Sequence, residues 1–150
     1  MQPHSLQVFG VCCLLSACLG AAGCGRQRPP DEPLTPTRAN LIKIGASYTN
    51  ATFSLNHPPG NRAEFLPFVQ QQGKPDDVLR SPGDNEDFVI VYGVDLRDLK
   101  ATGKDVPILA YEKRGTDGKR HVLRGRSEVL LMGEDELRAA TFPPGFTPSF

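Results

Sequence analysis

The chain has 150 residues, which is room for one ordinary domain but not for two. It carries 17 Lys and Arg residues against 17 Asp and Glu residues, and this zero net charge argues against a nucleic-acid binder that relies on bulk positive charge. The hydrophobic fraction of 39% suits a modest core and is too low for a protein with many membrane spans.

The N-terminal segment differs in composition from everything that follows it. Every Lys, Arg, Asp and Glu lies at or after Arg26, and residues 5–25 are mostly apolar or small. A run of this length that ends in small residues is typical of a secretory signal peptide, although the first four residues lack the usual Lys or Arg. We therefore expect an exported protein with residues 1–24 as its leader.

All four cysteines lie in this leader, so they do not form a disulfide framework spread among loops. Two of them end lipobox-like patterns, Leu15-Ser16-Ala17-Cys18 and Ala21-Ala22-Gly23-Cys24. The small residues before each cysteine would allow a signal peptidase to bind the chain in an extended conformation. The cysteine thiol would accept a diacylglyceryl group, whose acyl chains anchor the protein in the membrane. We predict a lipoprotein signal peptide, cleavage before Cys18 or Cys24, and a lipid-anchored protein of a bacterial cell envelope. The alternatives are a cleaved secretory signal and a retained membrane helix.

A tether and one domain follow the leader. Residues 25–37 contain four prolines and are expected to be an extended, semi-rigid tether. Residues 38–146 are expected to form the domain, and residues 147–150 a loose tail.

The domain opens with helical patterns. Thr35-Pro36 suits a helix N-terminus, and apolar residues then recur at three- and four-residue spacing until Asn56. A second helix is predicted over residues 62–72 despite Pro67, and a further turn over residues 76–79.

The period then changes to that of strands. Residues 88–94 are apolar on both faces and predict a central strand. Further strands are expected at 108–112, 121–124 and 128–132, with an Asp-Gly hairpin turn at 117–118. A short helix over residues 134–140 should end the domain. The phenylalanines Phe142, Phe146 and Phe150 could cover the sheet or form an exposed apolar tail, and we expect them to cover the sheet. The fold class is therefore α+β in two layers, with an N-terminal amphipathic helix packed on a small antiparallel β-meander and a short C-terminal helix.

Several segments resemble pseudopilin-like proteins that are abundant in Planctomycetes. Residues 38–45, Arg-Ala-Asn-Leu-Ile-Lys-Ile-Gly, are similar to the family's helix start. Residues 65–68 with 78–82 resemble the segment before its first strand, and residues 107–113 with 119–123 resemble its C-terminal hairpin.

This resemblance covers residues 38–146 and implies a pilin-like fold. Arg126-Ser127 stands where the family has an Asp-Gly pair, and the Pro-rich tether interrupts the helix that a pseudopilin would continue from its membrane segment. The resemblance thus implies a pilin-like domain placed on a lipid anchor rather than a filament subunit. It implies no catalytic activity.

One acidic loop is a candidate metal site. Asp84, Glu86 and Asp87 supply hard oxygen ligands of the kind that calcium prefers, although their spacing is not that of an EF-hand. The alternative is a solvated turn. A small ligand- or calcium-binding envelope module is therefore the second functional hypothesis.

Basic residues surround the predicted hairpin. Lys113, Arg114, Lys119 and Arg120 could contact anionic lipid head groups or an acidic envelope protein. The alternative is a charged strand edge that blocks aggregation.

Catalytic residue types are scarce in the mature chain. His57 and His121 are its imidazoles, too few for an ordinary zinc site, and no phosphate loop, dinucleotide fingerprint or nucleophile elbow is present. We expect a non-enzymatic protein without a cofactor, acting by protein contact. An enzyme would need a pocket that holds paired carboxylates such as Asp95 and Asp98.

Overall fold

The computed structural model describes residues 34–97, 99 and 105–149, which lie in a unit spanning Pro33–Phe150. Three helices come first, then four strands, then a last helix. They are α1 (Pro36–Leu55), α2 (Arg62–Gln70), α3 (Pro75–Leu79), β1 (Val89–Ile90), β2 (Ile108–Tyr111), β3 (Lys119–Arg124), β4 (Glu128–Gly133) and α4 (Glu134–Arg138). The predicted α+β class is confirmed.

Helix α1 begins and ends where the sequence predicted. The Thr35 hydroxyl accepts a hydrogen bond from the Arg38 N–H at 3.2 Å, and Pro36 occupies the first turn, where its missing N–H costs nothing. Asn56 ends the helix in the left-handed region at φ 58°.

Helices α2 and α3 also form as predicted. Asn61 caps α2 by accepting from the Glu64 N–H at 3.1 Å, while the Glu64 carboxylate accepts from the Gly60 N–H at 2.8 Å. Pro67 lies inside α2 without ending it, and the helix stops three residues later at Gln70.

Polar side chains of α1 fix the loops around it. The Asn40 amide donates to the carbonyl oxygens of Asp77 at 2.7 Å and Arg80 at 3.2 Å, which satisfies acceptors at the end of α3. The buried Tyr48 hydroxyl accepts from the Val94 N–H at 3.0 Å. Burial raises the pKa of Tyr48 to about 12, against the opposing effect of this N–H donor.

The four strands form an antiparallel meander in the order β1-β2-β3-β4. The prediction that residues 88–94 form a central strand is wrong, because β1 is two residues long and lies at the sheet edge. The N–H groups of Phe88 and Gly93 donate to Leu79 and Pro59 at 2.8 and 3.0 Å, outside the sheet. Between them, Val89 and Ile90 pair with β2, whereas Tyr92 contacts Phe65 of α2.

The hairpin from β2 to β3 carries the predicted Asp-Gly turn. Asp117 and Gly118 have φ of 53° and 72°, and the Lys119 N–H donates to the Thr116 carbonyl at 3.0 Å. Positive φ at both central residues is the geometry of a type I′ hairpin turn.

Helix α1 packs against β2, β3 and β4 as well as α2 and α3. The backbone of α1 approaches the β3–β4 turn closely at Gly45, where a Cβ atom would lie 2.5 Å from the Arg126 carbonyl oxygen. A side chain at position 45 would therefore push α1 off the turn between β3 and β4.

The C-terminal segment covers the face of the sheet that lies opposite α1. The domain therefore has a third, partial layer in addition to the two that the sequence predicted. Tyr111 pairs with Val122 and contacts Phe142 edge to face, with ring centroids 6.2 Å apart, and Phe142 stacks on Phe146 at 5.4 Å. The predicted covering is confirmed for Phe142 and Phe146, while Phe150 lies outside the described residues. The tail expected to be loose also contacts the sheet, since the Ser149 N–H donates to the Tyr111 hydroxyl at 3.2 Å.

No helix within the described ranges is both long enough and apolar enough to cross a membrane.

Ser47 provides a test of the α1 packing. Its hydroxyl is fully buried and has no hydrogen-bond partner among the described residues, which costs free energy of folding. We expect Ser47→Ala to raise the free energy of unfolding by about 1 kcal/mol in urea denaturation. Ser54→Ala, on the exposed side of the same helix, controls for the helix propensity of alanine, and an equal gain in both variants would contradict the prediction.

Candidate functional site

The acidic loop and the basic hairpin, two separate candidates in the sequence, lie against each other in the fold. Glu86 forms ion pairs with Arg114, with Oε1 3.0 Å from Nη2, and with Lys113, with Oε2 3.5 Å from Nζ. Much of the charge that was expected to meet an external ion or partner is therefore matched within the domain.

Asp84 fixes the loop to the base of the hairpin. Its Oδ2 accepts from the N–H groups of Arg114 and Gly115 at 2.9 Å each, and its Oδ1 accepts from the Glu86 N–H at 3.1 Å. Burial opposes ionisation of this carboxyl, but the three backbone donors outweigh it and hold the pKa of Asp84 below its usual value. The carboxylate thus serves as an acceptor for loop backbone.

Asp87 points to a different set of cations. Its carboxylate lies 3.7 Å from Arg62 on α2 and 3.7 Å from Arg80 after α3. Within the part of the chain that the structure describes, no group of three or more His, Cys, Asp and Glu side chains is placed to hold a metal ion. The candidate calcium ligands Asp84, Glu86 and Asp87 are thus engaged by separate partners.

The four basic residues predicted as one contact surface separate into two kinds. Arg120 is not a surface residue: its side chain is 9% exposed, its Nε donates to the Lys113 carbonyl at 3.3 Å, and its Nη1 lies 4.0 Å from Glu134. Lys113, Arg114 and Lys119 are exposed. Side chains alternate between the two faces of the sheet along β3, and this alternation places Arg120 in the interior. The basic surface predicted from the sequence therefore does not include Arg120.

A buried carboxylate, which the sequence analysis did not single out, lies at the centre of this region. Glu112 follows β2 directly and is 1% exposed. Its Oε1 accepts from the Ser81 hydroxyl at 2.5 Å, and its Oε2 accepts from the His121 N–H at 2.8 Å and lies 2.9 Å from His121 Nδ1. In the sequence, Glu112 directly follows the apolar residues 108–111. The structure buries all four of these residues, and Glu112 is buried with them.

The order of these groups matters for their chemistry. The Ser81 hydroxyl donates to Glu112, and His121 contacts the other oxygen of the same carboxylate. A nucleophile relay needs the imidazole between the hydroxyl and the carboxylate. Here the carboxylate lies in the middle, so His121 is not placed to accept the Ser81 proton.

Two surface depressions lie near these elements. One of about 350 Å³ is lined by Glu112, Thr116, Asp117, Lys119, His121 and Leu131. A larger groove of about 520 Å³ runs between β4 and α4 and is mainly apolar. It is lined by Ile108, Arg124, Leu130, Leu131, Met132, Asp135, Glu136, Ala139 and Ala140.

The remaining candidates lie elsewhere. Cys18, Cys24 and Asp98 are outside the described residues. Asp95 pairs with Arg97, with Oδ2 2.6 Å from Nη2, and Arg97 also donates to the carbonyl and side-chain oxygens of Asn56 at the end of α1. His57 is exposed, with Nδ1 2.9 Å from the Pro58 carbonyl oxygen.

Comparison with protein-family models, with curated proteins and with solved structures gives no match.

A substitution at Ser81 tests whether the hydrogen bond to the buried Glu112 carboxylate stabilises the fold. Ser81→Ala removes the hydroxyl donor of Glu112 Oε1 and the acceptor of the Gly83 N–H. We expect the free energy of unfolding to fall by about 1–3 kcal/mol, because a buried oxygen loses its partner. Urea denaturation measures this, Ser127→Ala in the exposed β3–β4 turn is the control, and equal stability of the two variants would contradict the assignment.

The ion pair of Asp95 with Arg97 should make the stability of the fold depend on pH in the acid range. Hydrogen bonds from the Arg97 side chain and N–H lower the pKa of Asp95 to about 2, from an ordinary value of 3.8. The ionised group therefore adds stability above about pH 4, and this contribution is lost as pH falls through about 2. We expect Asp95→Asn to lower Tm at pH 7 and the difference from wild type to shrink towards pH 2.

Circular-dichroism melts at pH 7, 4 and 2 measure this difference. Asp117→Asn, in the exposed hairpin turn, is the control, because asparagine tolerates the positive φ of that position. A Tm difference between wild type and Asp95→Asn that stays constant with pH would show that the Asp95 charge does not contribute.

Proposed function

We propose that this chain is a non-enzymatic, lipid-anchored protein of a bacterial cell envelope whose pseudopilin-like domain acts by contact with other proteins. The observation that carries the proposal is the order of segments. A charge-free leader with lipobox-like patterns precedes a Pro-rich tether, and a helix-first α+β domain follows. A tether of this kind suits a domain held at a distance from a lipid surface.

The arrangement of α1 on an antiparallel meander supports the pilin-like part of the proposal. Helix α1 has 20 residues and contacts β2, β3 and β4 along one side. Asn40 and Gly45, both within the segment that resembles the family, hold α1 against α3 and against the β3–β4 turn.

The engagement of potential catalytic groups supports the non-enzymatic part. His121 and Ser81 both contact the buried Glu112 carboxylate, and Asp95 is paired with Arg97. These contacts hold the side chains in structural roles. A zero net charge likewise favours protein partners over nucleic acid.

Lipid attachment is the first test. The full chain is expressed in a bacterial host fed an alkyne-tagged fatty acid, and the N-terminal peptide of the membrane fraction is weighed by mass spectrometry. We expect a diacylated or triacylated N-terminal cysteine at position 18 or 24, and loss of the label in either Cys18→Ser or Cys24→Ser.

Cys12→Ser is the matched control and should keep the label, since residue 12 lies within the apolar part of the leader. An unlabelled chain that retains residues 1–24 would overturn the lipid anchor and favour a membrane helix.

A further inference from the structure

Strand β4 is an open edge of the sheet. The sheet ends with β1 on one side and with β4 on the other. β1 is two residues long, and the backbone around it bonds to Leu79 and Pro59. β4 spans Glu128–Gly133 and carries its one charged side chain at its first position. Natural edge strands are ordinarily protected by Lys, Pro or a bulge, whereas β4 contains neither residue and pairs with β3 in unbroken register.

The register shows which backbone groups of β4 face outward. The His121 carbonyl accepts from the Glu112 N–H at 3.1 Å, so His121 directs its backbone groups towards β2. His121 lies opposite Leu131 of β4. Two opposite residues of an antiparallel pair either bond to each other or both point away, and successive residues alternate. The N–H and C=O groups of Val129, Leu131 and Gly133 therefore point away from β3.

Helix α4 satisfies one of these groups and leaves others open. The Gly133 N–H donates to the Glu136 carboxylate at 2.8 Å, as its outward direction requires. Within the part of the chain that the structure describes, the outward groups of Val129 and Leu131 bond to no other segment. Unpaired groups along a strand edge are matched by an extended backbone that lies alongside and adds a strand.

A depression lies beside this edge on each face of the sheet. The apolar groove of about 520 Å³ is lined by Leu130 and Met132, and the depression of about 350 Å³ by His121. Leu131 lines both, and its side chain is 43% exposed. Side chains of an added strand would alternate between the two faces. One set would therefore enter the apolar groove, and the other would lie over Leu131 and His121.

Charge indicates what such a strand should carry at one end. The charged residues that line the apolar groove are Arg124, Asp135 and Glu136. Arg124 pairs with Glu128, with Nη2 2.9 Å from Oε2. Asp135 is exposed and makes no ion pair among the described residues. The groove is therefore negative where it meets α4, and a cationic side chain would complement it.

We propose that the β4 edge is a docking site for an extended segment of another protein, which adds a strand to the sheet. This segment places apolar side chains at alternate positions in the groove and a Lys or Arg beside Asp135. The inference rests on the proposed function in one respect, that the domain acts by contact with other proteins. It does not depend on the lipid anchor.

Peptide selection by the full chain tests the proposal. Random heptapeptides displayed on phage are selected against the full chain in detergent micelles, with the Leu131→Pro chain selected in parallel. We expect wild type to enrich peptides with apolar residues at alternate positions and Lys or Arg at one end. Equal enrichment by both chains, or apolar residues at helical spacing, would overturn the proposal.

Variants of the edge then test the binding of a selected peptide by fluorescence anisotropy. Leu131→Pro removes an outward N–H without removing a bond to β3, and should weaken binding about tenfold or more. Leu131→Val keeps the N–H and should retain binding. Asp135→Asn should weaken binding, whereas Asp76→Asn, exposed in the first turn of α3, should not. Circular-dichroism melts show which variants are folded.

N-methylated peptides provide the same test without altering the chain. Methylation of alternate amides should abolish binding for the set that faces β4 and leave binding intact for the set that faces outward. Equal effects of the two sets would overturn strand addition even if Leu131→Pro failed to fold.

Amide hydrogen exchange followed by NMR identifies any other occupant of the edge. In the free chain the Leu131 N–H should exchange fast and should slow when peptide binds, while the Leu130 and Met132 N–H groups, which face β3, stay slow throughout. Protection of Leu131 that rises with protein concentration would indicate a second copy. Protection that does not change with concentration would indicate a segment of the same chain; either result overturns the proposal.

These outcomes are separable from those of the lipid test. A chain that carries lipid at Cys18 or Cys24 but selects no peptide would overturn strand addition and leave the anchor in place. A chain that selects peptides but carries no lipid would do the reverse.

Discussion

The burial of the Glu112 carboxylate is the constraint on which the loop side of the domain depends. A carboxylate that is removed from water destabilises the fold by several kcal/mol unless hydrogen-bond donors surround it. Glu112 obtains these donors from two distant parts of the chain, the Ser81 hydroxyl after α3 and His121 in β3. The fold is therefore complete only when the loop after α3 closes onto the β2–β3 hairpin.

This closure explains the pairing of charges above it. With Ser81 held at Glu112, the next residues of the loop lie at the base of the hairpin, where Asp84 accepts from Arg114 and Gly115 and Glu86 meets Arg114 and Lys113. These exposed ion pairs each add little to stability. Their effect is to reduce the net charge that this side of the domain presents to a partner.

The elements that the sequence predicted correctly are those with local signals. Thr35-Pro36 at the start of α1 and Asp117-Gly118 in the hairpin turn act through their own backbone preferences, so their neighbours in space are not needed to predict them. Residues 88–94 were misassigned as a central strand because apolar residues on both faces indicate burial without indicating by what. In the structure only Val89 and Ile90 pair with β2, at the sheet edge, while the N–H groups of Phe88 and Gly93 donate to Leu79 and Pro59.

The contacts of the candidate site join residues that are far apart in the sequence, so local sequence patterns could not predict them. Glu86 and Arg114 are 28 positions apart, and their pairing follows from the closure at Glu112 rather than from either segment alone. Arg120 belonged to a basic cluster in the sequence, yet the alternation of β3 turns it inward. Glu112 was predicted only as the last residue of the strand at 108–112, because its partners Ser81 and His121 lie 31 and 9 positions away.

The two sides of the domain therefore offer different chemistry for recognition. On the loop side, Glu86 and Asp87 already have cationic partners, so a charged ligand there would compete with existing ion pairs. On the outer side of α1, Ile42 and Phe53 remain exposed on a helix without a single carboxylate. Covering apolar surface is favourable in itself, whereas exchanging one exposed ion pair for another gains little.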